Sequence, residues 1–235
     1  MTLRKVALVC IFFSTASWLL AEDFWQQPFD KWKREQVLRM LSDSPWAQSE
    51  TFTRTIDEKD AGFRGEKELF WRFNIRFFSA RPVREAYVRM AQLMNKYDEM
   101  SAEQRQEFDK RFQHALSLDV ADRVIVSIDY DSNNPDAIRE YRQMFEQLTA
   151  ELLKQSVYLI TRRLGRVELK EYFPPSSDGT GAKFIFPRTI KGQPIFTAED
   201  KEIRFDFELP RPTSNFHISL PFKSAKMTYR GVLSY

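Results

Sequence analysis

The chain has 235 residues, with 36 basic and 33 acidic side chains, one cysteine, and 7 glycines against 21 phenylalanines. A composition so rich in aromatics, poor in glycine and balanced in charge excludes a disordered, collagen-like or disulfide-framed protein. It fits a packed globular one.

The N-terminus reads as a cleavable secretory signal. Arg4 and Lys5 precede an apolar run from Val6 to Phe13, then the small residues Ser14–Ser17 and Trp18-Leu19-Leu20-Ala21, with Glu22 and Asp23 beyond. Basic start, apolar middle and small residues before a polar flank are the parts of such a signal. The stretch Val6–Ala21 is shorter than the roughly 20 apolar residues of a membrane span, so no integral span is expected. Cleavage is expected between Ala16 and Ala21. Cys10 sits near the start of the apolar region, not at its end, which argues against a lipid-anchored cysteine. It is expected to leave with the signal, so that residues 22–235 contain no thiol, disulfide or thiolate metal ligand. Removing Arg4 and Lys5 from the 36 basic residues leaves 34 against 33 acidic ones, a net charge of +1. Nothing in that balance points to nucleic acid.

In chain order, Phe29–Trp32 is expected to open a helix with apolar positions Trp32, Val37, Met40 and Leu41, stopping before Pro45. Gln48–Ile56 alternates and is threonine-rich, as a strand. Asp57–Glu66 is a polar turn. Leu69–Phe78 is the clearest strand of the first half. Leu69, Trp71, Phe73, Ile75 and Phe77 lie on one face; Phe70, Arg72, Asn74, Arg76 and Phe78 lie on the other. Ser79 is a candidate cap for a helix with Pro82 in its first turn. The buried stripe expected there is Val83, Ala86, Tyr87, Met90, Met94 and Tyr97. Ser101 and Gln104 make a capping box for a further helix to Leu116, with a weaker stripe of Phe108, Phe112, Ala115 and Leu116. Val124–Asp131 is a strand. Asn134-Pro135 begins the longest expected helix, to about Gln155, with Ile138, Tyr141, Phe145, Leu148 and Leu152 on its apolar side. Strands are then expected at Val157–Thr161, Val167–Phe173, Phe184–Pro187, Ile203–Leu209, Phe216–Phe222 and Met227–Leu233. Four helices in the N-terminal and middle part and a strand-rich C-terminal part give an α+β fold with a largely antiparallel sheet. Residues 22–235 are expected to form a single α+β domain, with a candidate subdivision near 118.

Few residues suggest chemistry. His114 is expected to face solvent, opposite the Phe108/Phe112 stripe, and His217 lies on the polar side of its strand. Neither neighbours a cysteine, a serine elbow or the other histidine, so neither zinc nor a nucleophilic pair has a local signature. Glu168 and Glu171 show no acid/base pairing, and there is no glycine-rich phosphate loop. Arg72, Arg76, Arg81, Arg84 and Arg89 interleave with aromatics in the manner of a single-strand platform. Pairing with carboxylates accounts for them better: Ile203–Leu209 has the complementary face Arg204, Asp206 and Glu208, and its two acids are the expected partners. Asp129, Asp131, Asn133 and Glu140 fall at positions one, three, five and twelve of a calcium loop. Asn134 stands where the loop needs glycine, and a strand precedes it where a helix should. A strand-to-helix turn, with Asn134 as cap, Pro135 in the first turn and Asp136 at the positive helix end, explains most of the same residues. The expectation is therefore a turn, with no cofactor and no metal, and the calcium loop as the alternative.

Trp32 to Ala47, ending Asp43-Ser44-Pro45-Trp46-Ala47, and Phe70 to Arg84, with Ser79-Ala80-Arg81-Pro82-Val83-Arg84, resemble a family of exported bacterial single-domain proteins without an assigned activity. The resemblance implies bacterial export to the periplasm or beyond, and no catalytic residue. The expected function is a non-catalytic binding or structural domain of the cell envelope, its partner an envelope protein or a glycan. The alternative is a carboxylate-based envelope hydrolase assisted by calcium, which would need two or more close carboxylates in one concave pocket.

Overall fold

The computed structural model describes residues 23–56, 67–209 and 216–235. The signal segment with Cys10, the turn Asp57–Glu66 and residues 210–215 lie outside the described residues. Among those described, the helices are α1 (Arg34–Ser42), α2 (Arg81–Met94), α3 (Ala102–Leu116), α4 (Pro135–Gln147) and the single turn α5 (Ala150–Leu153). The strands are β1 (Ala47–Ile56), β2 (Lys67–Phe77), β3 (Arg123–Ser132), β4 (Val157–Thr161), β5 (Gly165–Glu168), β6 (Glu171–Phe173), β7 (Ala182–Pro187), β8 (Thr189–Ile190), β9 (Gln193–Pro194), β10 (Ile203–Leu209), β11 (Phe216–Phe222), β12 (Thr228–Tyr229) and β13 (Val232–Leu233). They form a five-stranded sheet, β1-β2-β3-β7-β6, a four-stranded sheet, β11-β10-β4-β5, and two small hairpins. Every pairing is antiparallel, as the α+β reading requires. β3, which follows the candidate boundary near 118, lies between β2 and β7 inside the first sheet. No helix among the described residues is long and apolar enough to cross a membrane.

The two sheets meet face to face over an aromatic layer. Phe184 of β7 stands 5.9 Å from Phe205 and 5.5 Å from Phe207 of β10, and Phe77 of β2 stands 4.9 Å from Phe222 of β11. All five rings are fully buried. α4 closes one end of this layer, with Phe145 stacked on both Tyr130 of β3 and Phe207. Alternation does the sorting: the odd residues of β2 and the even residues of β3 and β7 point into the layer, and their neighbours point outward.

Several local expectations are corrected. Phe29–Lys31 is one 3₁₀ turn and the helix starts later, at Arg34, because Trp32 is extended and buried with its Nε1 donating to the Gln27 carbonyl. The capping serine of α2 is not Ser79. Its hydroxyl accepts from the Ile125 amide, continuing the contact with β3, and Ala80 is the N-cap. The stripe of α2 fails toward its end: Met94 is 74% exposed, while Arg84, Glu85, Arg89 and Gln92 are buried. In α3 only Phe108 is buried. The helix expected to be the longest breaks at Leu148, which is extended. Thr149 recaps the chain by accepting from the Leu152 amide, which buries Leu153 and leaves Leu152 exposed. Val167–Phe173 is not one strand: β5 belongs to the second sheet and β6 to the first, the chain changing sheets at the buried Leu169. Met227–Leu233 is a hairpin turned by Arg230-Gly231, both at positive φ.

Gly181 enters β7 at φ +80, and a Cβ there would collide with the Ile128 carbonyl of β3. Gly181→Ala should therefore lower stability by at least about 2 kcal/mol, since strain and a backbone clash add. Urea denaturation measures it, and an unchanged midpoint would contradict this close approach.

Candidate functional site

The outer face of the five-stranded sheet carries the polar residues that the sequence singles out. Across β2 and β3 the register places Arg72 opposite Asp131, Asn74 opposite Asp129 and Arg76 opposite Ser127. The arginine face and the calcium-loop residues are thus one feature seen from two strands. Arg72 Nη2 lies 2.7 Å from Asp131 Oδ2, and Arg76 Nη2 lies 3.6 Å from Asp129 Oδ2. The pairing expected from the face Arg204, Asp206 and Glu208 is corrected: those residues lie on the outer face of the other sheet, where Asp206 pairs with His217 at 2.7 Å and Arg204 with Glu202. Asn133 points elsewhere, accepting from the Phe70 amide and donating to the Glu68 carbonyl. Asn134 caps α4 by accepting from Asp136 N. Among the described residues, no three His, Cys, Asp or Glu side chains are grouped to hold a metal.

The remaining arginines hold helices in place. Arg76 is buried; its Nε donates to the Leu41 carbonyl at the end of α1 and its Nη1 to the Tyr87 hydroxyl of α2. Arg89 donates to the Trp32 carbonyl. Arg81 and Arg84 donate to the carbonyls of Ala115, Leu116 and Leu118, at and just beyond the negative end of the α3 dipole. Burial, with Arg81 alongside, lowers Arg84 to about 10, so it stays cationic at neutral pH.

Two concavities flank the Arg76–Tyr87 bond. One, of about 750 Å³, is polar and includes Ser49, Arg72, Asn74 and Arg76. The other, of about 800 Å³, runs between the sheet and the α2–α3 pair. Phe78, Ile125 and Ile185 line the sheet side, Met90, Met94 and Phe112 the helix side, and Phe173 of β6 a further wall. Met94 and Phe173, 49% exposed, present large apolar surface at this groove.

Its charged groups have assigned duties. Burial alone would raise the Asp178 carboxyl, but hydrogen bonds from Lys183 and from the amide and hydroxyl of Thr180 outweigh it and hold the group at about 2. Arg123 pairs with Asp122. Arg111 stacks over Phe108 and Phe112, each ring centroid 5.6 Å from its guanidinium carbon. His114 is exposed and lines the same groove. On the polar side, burial pushes the Asp129 carboxyl up against the pull of Arg76, and burial also raises the Tyr87 phenol.

Sequence reasoning missed the groove because its residues come from three helices, three strands and the connections between them. The available signal was the poor stripe of α3, too thin to bury a helix of that length, beside methionines that overrun the buried side of α2. Comparison of the chain with protein-family models, curated proteins and solved structures gave no match.

The arginine pairing makes a definite prediction for calcium. Thermal unfolding with about 5 mM calcium should match that with chelator, whereas a ligand at 100 times its dissociation constant would add about 2.7 kcal/mol and several degrees. A rise of that size, abolished by Asp131→Ala, would reinstate the calcium loop.

Proposed function

We propose that this chain is a non-catalytic binding domain of the cell envelope, and that the apolar groove between the sheet and the α2–α3 pair is its binding surface. The observation that carries the reading is the groove itself. Small-molecule sites are concavities of roughly 300–1,000 Å³, mainly apolar, with a few placed polar groups. Phe78, Met90, Phe112, Ile125 and Ile185 supply the apolar lining. Arg111, which forms no ion pair among the described residues, supplies a cation at the groove. That combination suits an amphiphile with an anionic end, and Asn95, His114, Ser177 and Thr180 at the same groove can hydrogen-bond its polar head.

One observation favours the rival carboxylate hydrolase: the raised Asp129 carboxyl, a property of general acids. Against it, Asp129, Asp131 and Asp178 are each held by their own cation, Arg76, Arg72 and Lys183. Paired acids of that kind are poorly placed to exchange protons.

Titration with a fluorescent single-chain fatty acid tests the binding reading. One saturable site is expected, weakened about tenfold or more by Met94→Glu with Phe173→Asp, since each charge would be buried against the ligand. Both side chains are exposed, so thermal unfolding should change little. Absence of saturable binding, or equal affinity in the variant, would dismiss the groove.

Export belongs to the same proposal, supported by the three-part N-terminus and by the resemblance to exported bacterial proteins. Protein recovered from the periplasm or medium should have lost its N-terminus at a site between Ala16 and Ala21 by intact mass. Retained Met1, or a lipid on Cys10, would overturn it.

A further inference from the structure

We infer that the free edge of β1 pairs with β1 of a second copy of this chain, joining two five-stranded sheets across a two-fold axis at Phe52. Sheet edges invite pairing, and proteins blunt them with short strands, proline, lysine or bulges. Three of the four edges here are blunted. β6 has three residues, β5 has four, and β11 carries Pro221. β1 has ten residues without lysine or proline, and its register with β2 runs from Ala47 to Ile56 without a bulge. Among the described residues, no backbone hydrogen bond joins residues 50–56 to any strand but β2. Thr51, Thr53, Arg54 and Thr55 are exposed.

The sequence of the edge names the occupant. Ser49-Glu50-Thr51-Phe52-Thr53-Arg54-Thr55 is self-complementary about its centre. An antiparallel copy centred on Phe52 sets Glu50 against the second Arg54, Thr51 against Thr53, and Phe52 against itself, with Ser49, whose hydroxyl is engaged by the Ser42 carbonyl and Asn74, at the margin. Opposite charges, hydroxyl pairs and aromatic pairs are the combinations that stabilise adjacent strands. Glu50, Phe52 and Arg54 share the face that β1 turns toward the aromatic layer, their β2 partners being Phe73, Trp71 and Leu69. A charge on that face opposes pairing with an unrelated strand. Two charges of opposite sign, exchanged by the two-fold, satisfy each other in the self-pair alone, which discriminates a second copy from an arbitrary extended peptide.

Sedimentation equilibrium up to about 200 µM protein tests the inference, one strand pair being a contact at the small end of specific interfaces. The protein should be a reversible dimer. Glu50→Arg and Arg54→Glu should each weaken association about tenfold or more, because each replaces two attractive pairs with like charges. The double variant Glu50→Arg with Arg54→Glu should regain it. Circular dichroism melts confirm that all three variants are folded. A monomer throughout the range, a dimer unmoved by both single reversals, or a folded double variant that stays monomeric would each overturn the self-pair.

Discussion

The burial of Arg76, Arg84 and Arg89 is the constraint on which the arrangement of this molecule depends. A guanidinium removed from water is costly unless its donors are met. Main-chain carbonyls of a different segment accept from each: Leu41 from Arg76 Nε, Ala115 and Leu118 from Arg84 Nη1, and Trp32 from Arg89 Nε, while Arg84 Nε is buried without a partner among the described residues. Those bonds set where α1, α2 and α3 can lie relative to the five-stranded sheet. The aromatic layer between the sheets supplies the bulk of the hydrophobic driving force, but it is non-directional. The arginines provide direction.

The groove follows from the same anchoring. Arg81 and Arg84 tie α2 to the C-terminal end of α3, so α3 is secured at one end while most of its length faces solvent. Phe108 is its single buried residue, packed on Phe112 and Tyr97. A helix held by one end and one aromatic cluster leaves the sheet beneath it incompletely covered. Ile125, Ile185 and Phe78, themselves buried, thus form the floor of a concavity whose exposed apolar surface comes from Met94 and Phe173. The binding surface and the helix anchor have a common origin.

The polar side of the sheet illustrates how two motifs can cancel. Read along the chain, Arg72 and Arg76 suggest an anion platform, and Asp129 and Asp131 suggest a cation site. Read across the strands, they neutralise each other. Asp129 remains the more strained partner, because its burial opposes ionisation while Arg76 favours it.

Periodicity in the sequence determined the fold class and most strand positions: β4, β10 and β11 match their expected limits, and the two faces of β2 are sorted as alternation requires. The capping box of α3 and the Asn134 cap of α4 were also legible, because each is made by residues within one turn. Features that couple distant segments were not. The break at Leu148, the sheet change at Leu169 and the burial of the α2 arginines each depend on what packs opposite. So do the pairing of Arg72 with Asp131, 59 positions apart, and the groove, whose residues come from several elements. A one-dimensional pattern reports which side of an element is apolar. Which element that side meets, and whether the meeting leaves a gap, is decided by the tertiary structure, where directional bonds to buried charges select among packings that hydrophobic burial alone leaves nearly equivalent.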